Sequence, residues 1–238
     1  MAGLIWMHAL AIGYSPEYLR ENADGIRQDW PRIPLPEGRE RLLSSAELGR
    51  QVAALLDTES PLPGVTAGAP RAELRPLAVA AHTLGQPLHP EEGALELRGG
   101  WGHAGKGGVT MPGKGRWVQR EYSAAERAAI AEGAQALGLT LEQALQHLGP
   151  STCDVYLNDV ALWRNVPLRV WEYTIGGYQV IKKWLSYREQ RLLGRCLTPD
   201  EVHEVTHMAR RIAALLLLEL ALDANYAEVK EKTYRWGD

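Results

Sequence analysis

Apolar side chains that recur every three or four residues predict helices over much of this chain. The clearest pattern covers residues 39–56, where leucine, alanine and valine form one apolar stripe. Polar residues of the kind that cap helices mark the start of further helices, and glycine or the end of the apolar pattern marks their stop. These helices are predicted from Ser15 to near Gly25, from Ser123 to near Gly138, from Thr140 to Gly149 and from Thr198 to about Leu222.

The segments between these helices lack a helical period. Residues 30–36 contain three prolines and are predicted to be extended, and residues 57–76 have the composition of a loop. From 78 to 122, short β-type runs are broken by glycine and proline. The pattern predicts an α+β, helix-rich mixed domain with a short β-rich, Gly-rich insertion. The predicted parts are a helical region at 1–58, the insertion at 59–122, and a region at 123–238 that is continuous with 1–58.

Residues 170–191 combine a β-type run, a glycine pair and an amphipathic pattern. We predict a strand over 170–175, a tight turn at Gly176-Gly177 and a helix from Tyr178 onward. Helical spacing places Ile181 and Leu185 toward a core and Lys182 and Lys183 near solvent. This helix is a candidate for facing an anion.

Charge is unevenly distributed, although the formal net charge is only −3. Residues 97–120 contain five cations and no carboxylate, and residues 169–195 contain six cations and two carboxylates. Two basic segments in an acidic chain are compatible with a phosphate backbone as partner, and equally with solvated surface. The two cysteines are too few for a disulfide framework, which predicts a reducing, cytoplasmic location. The N-terminal apolar run GLIWMHALAI is too short to span a bilayer, so no membrane partner is predicted.

Two nucleotide-binding patterns overlap in the glycine-rich segment. Gly100 to Lys106 has the spacing GxxxxGK, and Gly100, Gly102 and Gly105 have the spacing GxGxxG. Gly107 stands where the first pattern requires serine or threonine, and the following sequence KGGVTMPGKG cannot form the helix that both patterns require. We therefore predict that this segment does not bind a nucleotide.

Residues 203–207, HEVTH, have the spacing of a zinc peptidase helix. On a helical wheel His203 and His207 lie opposite the apolar stripe formed by Val202, Val205, Ala209, Ile212 and Leu216. Arg210 and Arg211 also oppose a divalent cation. We predict no bound metal here, and a zinc-dependent hydrolase remains an alternative.

Three stretches carry a resemblance to a known family: SPEYLRENADGIRQDWPRIPLP, DVYLNDVALWRNVP and EYTIGGYQVIKKWLSYRE. Together they resemble the C-terminal target-recognition region of single-chain type ISP restriction-modification enzymes. The resemblance covers most of residues 3–236 and is strongest in 14–56 and 154–226. It implies a DNA sequence-recognition module, a fragment of a longer protein whose upstream nuclease, motor and adenine methyltransferase domains modify and cleave the DNA.

The resemblance implies duplex DNA and those upstream domains as partners. It implies no cofactor in this chain; S-adenosylmethionine, ATP and magnesium are expected only on the upstream domains. No catalytic residue is predicted, and the methyltransferase signature [DNS]PP[YFW] does not occur. The glycine-rich segment is either a mobile hairpin or a DNA-contacting loop, and a non-catalytic protein-interaction domain remains a further alternative. The predicted DNA-binding residues are His103, Lys106, Thr110, Lys114, Arg116, Tyr178, Gln179, Lys182, Lys183 and Arg188.

Overall fold

The structure, a computed structural model, describes residues 2–89 and 93–234. These residues form helices and short strands in small antiparallel sheets, which confirms the predicted α+β class. The chain divides into two compact units, one made of residues 1–62 and 215–238 and the other of residues 63–214. None of the helices within the described ranges is both long enough and apolar enough to cross a membrane.

The first unit is helical. Its helices are α1 (Ala2–Gly13), α2 (Pro16–Glu21), α3 (Ala23–Gln28), α4 (Arg39–Leu56) and the part of α10 (Pro199–Glu231) that follows residue 214. Helix α4 has the predicted bounds and packs along α1 so closely that a Cβ at Gly49 would overlap the Met7 carbonyl group. Tyr18, Tyr226 and Val229 are buried together with Ile12.

The short helix predicted from Ser15 to Gly25 begins as expected but is interrupted. Ser15 caps α2, because its hydroxyl accepts a hydrogen bond from the Tyr18 amide at 3.2 Å. Asn22 then leaves the helical conformation and donates from its side chain to the Tyr18 carbonyl at 2.9 Å. The single predicted helix is therefore two, α2 and α3. Residues 30–35 form neither helix nor strand, and the Tyr234 amide donates to the Leu35 carbonyl.

The second unit is built on a four-stranded antiparallel sheet. Its strand order is β1 (Val79–His82), β6 (Ala161–Pro167), β5 (Thr152–Tyr156) and β4 (Trp117–Arg120). Helices α5 (Ala124–Ala136) and α6 (Leu141–Leu148) begin at the predicted capping boxes. The first part of α10 packs on the sheet, where the buried Trp163 indole donates to the Val202 carbonyl at 3.0 Å.

Two small hairpins and three short helices also belong to this unit. They are the hairpins β2 (Gly102–Ala104) with β3 (Thr110–Pro112), and β7 (Thr174–Ile175) with β8 (Tyr178–Gln179), and the helices α7 (Leu168–Trp171), α8 (Val180–Arg188) and α9 (Gln190–Leu193).

Sequence predictions about element bounds were also wrong for residues 170–175 and for the end of α10. Residues 170–175 are not one strand, because Val170 and Trp171 reach the core from the single helical turn α7. Helix α10 does not end at Leu222 but continues to Glu231. No glycine or proline follows Leu222 within that stretch, and the buried Tyr226 and Val229 extend its apolar spacing.

Candidate nucleic-acid interface

The glycine-rich segment forms a hairpin. Strand β2 pairs with β3 in antiparallel register, His103 lying opposite Met111, and a 3-10 turn at Lys106–Gly108 closes the end. Gly107 and Gly108 both have positive φ, 73° and 79°, which side chains other than glycine adopt at a cost. The hairpin end is thus defined by its glycines, and Lys106 is exposed on it.

The base of this hairpin is fixed by Trp101 and Glu189. Trp101 is completely buried, and its indole nitrogen donates to the Tyr156 carbonyl at 2.8 Å. The buried carboxylate of Glu189 accepts the Trp101 amide at 2.8 Å and the Gly100 amide at 3.2 Å. The hairpin therefore starts from a buried, charge-assisted anchor.

Glycine allows the same hairpin to lie directly on α8. A Cβ at Gly102 would overlap the carbonyl group of Ser186, and a Cβ at Gly115 would overlap the Trp101 ring. The Arg191 guanidinium also donates to the Gly102 carbonyl at 2.8 and 3.2 Å. The two segments that the sequence marked as basic are therefore packed against each other.

The second hairpin leads directly into α8. Gly176 and Gly177 have φ of 57° and 81°, the signs that a two-residue turn between antiparallel strands requires. The tight turn is thus confirmed, while the helix begins at Val180 and not at Tyr178. Ile181 and Leu185 are buried as predicted, and Lys182 and Lys183 are half-buried.

Two tyrosines hold the Lys183 ammonium group. Its nitrogen lies 4.6 Å from the centre of the Tyr178 ring and 4.8 Å from that of Tyr187. Both distances are within the range of cation-π attraction, which here orients the charge without neutralising it. Both tyrosine side chains are about half exposed.

Lysines and arginines of the predicted set differ in their partners. Among the described residues, Lys106, Lys114, Lys182 and Lys183 form no ion pair with a carboxylate. Arg116, by contrast, pairs with Asp159 and lies over the Tyr156 ring, 4.3 Å from its centre.

Arg188 is also engaged inside the protein. It lies 3.6 Å from Glu201 and 3.9 Å from Glu204, and its guanidinium stacks 3.9 Å from the centre of the Trp184 ring. The four lysines are therefore better placed to attract an external anion than the two arginines are.

The uncharged members of the predicted set lie on the β2–β3 and β7–β8 hairpins. His103 and Thr110 stand on β2 and β3, His103 exposed and Thr110 half-buried. Gln179 is half-buried, and its side-chain amide donates to the Trp171 carbonyl at 3.4 Å. Sequence reasoning did not single out Glu189, Arg191, Ile175 or Tyr187, which anchor or extend this surface. For Glu189 a signal existed, because it is the sole carboxylate among residues 173–195.

Arg120, counted in the first basic segment, has an internal role. Its guanidinium makes two bonds of 2.8 Å to Glu126 and two of 3.0 Å to Asp154. Burial raises the pKa of Glu126, but hydrogen bonds from Arg120 and Ser123 outweigh it, so the net shift is downward. The side chain connects the edge strand β4 to α5 and β5.

The HEVTH segment lies within α10, and its predicted apolar stripe is confirmed by the burial of all five stripe residues. His203 is exposed and His207 is half-buried. Burial, together with Arg210, His203 and Arg211, lowers the pKa of His207. Within residues 2–89 and 93–234 no three potential ligands are grouped to hold a metal ion. Absence of bound metal stays a prediction.

Comparison with known proteins adds one finding. A family model described as the Type ISP C-terminal specificity domain matches residues 5–214, which include both hairpins and α8. No curated protein and no solved structure matches the chain.

Proposed function

The chain belongs to the Type ISP C-terminal specificity domain family, and from this premise we propose that it binds duplex DNA through the two hairpins and α8. We call this area the hairpin surface: strands β2 and β3 with their turn, the β7–β8 hairpin, and the outward side of α8. Its task is target recognition for a restriction-modification enzyme. Methyl transfer and cleavage, with S-adenosylmethionine, ATP and magnesium, are assigned to other domains of the parent protein.

One observation carries this proposal: two basic segments, distant in sequence, pack together and present four lysines that form no ion pair with a carboxylate among the described residues. Within these two segments Glu172 is the one exposed carboxylate. Residues 97–120 contain none, and Glu189 is buried against backbone amides. A surface of this kind attracts a polyanion even on a protein of net negative charge.

The lysines are expected to position the protein on phosphates and not to distinguish bases. An ammonium group on a flexible stem is suited to a phosphate, and phosphate contacts carry no sequence information. Base discrimination is assigned to polar groups on the β2–β3 hairpin, namely His103 and Thr110. Both lie on the hairpin whose end is formed by Gly107 and Gly108, where a Cβ would meet no described atom within 4 Å, so the backbone there can approach a groove.

The test is the salt dependence of binding. Each lost phosphate contact reduces the slope of log affinity against log salt by about 0.9. The double change Lys182→Ala and Lys183→Ala should therefore weaken binding to target and non-target duplexes alike and lower the slope by up to about 2.

The matched control is Arg127→Ala, which removes a charge exposed on α5, outside the hairpin surface. It should leave the slope unchanged. Equal slopes in the wild type and the folded double-lysine variant would remove α8 from the interface. Binding to a protein partner but to no duplex would favour the protein-interaction alternative.

A further inference from the structure

The end of the β7–β8 hairpin carries two large apolar side chains in solvent. Ile175 is 58% exposed and Tyr178 is 57% exposed, and only Gly176 and Gly177 separate them. A Cβ built at either glycine would meet no described atom within 4 Å. The turn is therefore a narrow projection with an apolar residue on each side.

Two lysines lie beside this projection, and the exposed Glu172 precedes its first strand. Lys183 lies against the Tyr178 ring, and Lys182 precedes it on the first turn of α8. The stretch from Tyr173 to Arg188 contains no carboxylate. An apolar tip beside two lysines matches a partner that is anionic outside and apolar inside, which is the arrangement of phosphates and stacked bases in a duplex.

We propose that Ile175 and Tyr178 form an apolar wedge that inserts at a base step of the bound duplex, while the adjacent lysines hold the phosphates. This inference rests on the proposed function and assigns a second kind of contact to the hairpin surface. Side chains that enter between base steps partly unstack them and bend the duplex. The glycine turn gives the wedge its narrow cross-section, because no side chain extends beyond the two apolar ones.

Salt dependence separates the wedge from the lysines. Loss of a lysine contact changes the slope of log affinity against log salt, because counterions are no longer released. Loss of an apolar contact with bases lowers affinity by the same factor at every salt concentration. If Tyr178 served only to orient Lys183, its removal would lower the slope instead.

The experiment uses the 238-residue chain and 30-base-pair duplexes selected by the wild type from a randomised pool. Each duplex carries 2-aminopurine at one of a series of positions, because this base brightens when it is unstacked. One variant combines Ile175→Ala with Tyr178→Ala, and a second carries Tyr178→Phe alone. The control is Leu84→Ala, which removes another exposed apolar side chain outside the hairpin surface. Circular dichroism and thermal unfolding establish that each variant is folded.

We expect the wild type to raise fluorescence at one base step, and the double variant to lose that signal. Its affinity should fall on the order of tenfold with an unchanged salt slope. Tyr178→Phe, which keeps the ring, should recover the signal, and Leu84→Ala should behave as the wild type.

Four results would overturn the inference. Wild-type binding without brightening at any position, or unchanged affinity in the folded double variant, would leave the proposed function standing and remove the wedge. A reduced slope in that variant would assign Tyr178 to the positioning of Lys183. Failure of the wild type to bind any duplex would overturn the proposed function and the wedge together.

Discussion

Lys182 and Arg188 lie on the same helix, both half-buried, but differ in what their charges contact. The Lys182 ammonium forms no ion pair within the described chain, whereas Arg188 faces two carboxylates and stacks on an indole ring. Counting cations along the sequence treats the two residues as equal. The structure distinguishes them, because an internally paired cation must give up its partners before it can hold a phosphate.

Changing Arg188 to alanine should therefore affect folding more than DNA binding. The stacking on Trp184 and the long, partly screened ion pairs together suggest a loss of about 1 kcal/mol in the free energy of unfolding. The salt slope of DNA binding should stay at the wild-type value. Urea unfolding and duplex titration at several salt concentrations measure both quantities.

Lys182→Ala is the matched variant for Arg188→Ala, and its effects should be reversed: nearly wild-type stability and a slope reduced by about 0.9. A reduced slope in folded Arg188→Ala would show that this arginine exchanges its internal partners for DNA.

Among the elements, the β2–β3 hairpin shows best what sequence could and could not predict. Its glycines correctly indicated a broken β pattern and left two possibilities, a mobile loop and a DNA-contacting loop. Glu189, which anchors the hairpin, lies 88 residues from Trp101 in sequence. A single carboxylate in a basic segment marks Glu189 as unusual but does not identify a backbone partner so distant in sequence.

Sequence signals were more informative for elements whose stabilising contacts join residues close together in the chain. The capping boxes at Ser123 and Thr140 start helices as predicted, because both partners of each box lie within four residues. Residues 170–175 misled for the opposite reason. Their β-type composition is shared by buried positions of any kind, and burial of Val170 and Trp171 was achieved by a helical turn.

Replacing Glu189 by alanine should release the hairpin from its anchor. The amides of Gly100 and Trp101 would lose their acceptor, which costs about 1 to 3 kcal/mol when such groups are buried. Hydrogen exchange should then quicken at the Trp101 amide, and DNA affinity should fall although no cation is removed.

Glu121→Ala serves as the control for Glu189→Ala, since it removes an exposed carboxylate just before α5. It should change neither hydrogen exchange at Trp101 nor affinity. Unchanged exchange in Glu189→Ala would mean that the buried Trp101 side chain alone holds the hairpin.

For the whole molecule, titrating groups predict how stability depends on pH. His8 is fully buried, and its Nε2 donates to the Pro34 carbonyl at 2.8 Å, so Nδ1 must accept from the Ser45 hydroxyl at 2.7 Å. Burial lowers the pKa of His8 despite the raising effect of the Pro34 carbonyl, and burial also lowers the pKa of His207. Both groups favour the neutral imidazole in the folded state.

As pH falls, the free energy of unfolding is therefore expected to decrease in two stages. Where a folded-state pKa lies below the unfolded one, the unfolded chain binds more protons, so stability falls as pH falls. The two histidines contribute this loss below about 6.5, their ordinary value. Hydrogen bonds from Arg195 lower the pKa of Glu201 to about 2, and Arg120 and Ser123 lower that of Glu126, so a second loss begins below about 4.5.

On the alkaline side, the buried thiol of Cys153 and phenol of Tyr122 have the opposite effect. Burial raises the pKa of both groups, so the unfolded chain loses protons first and stability falls above about 9. We therefore expect a plateau of the free energy of unfolding between about pH 6.5 and 9, measured by urea unfolding at half-unit steps.

Cys153→Ala should move the alkaline decline toward the ordinary tyrosine range, and Cys196→Ala, which removes the other, less buried thiol, should not. A flat profile from pH 5 to 7 would show that neither His8 nor His207 is held neutral by the fold.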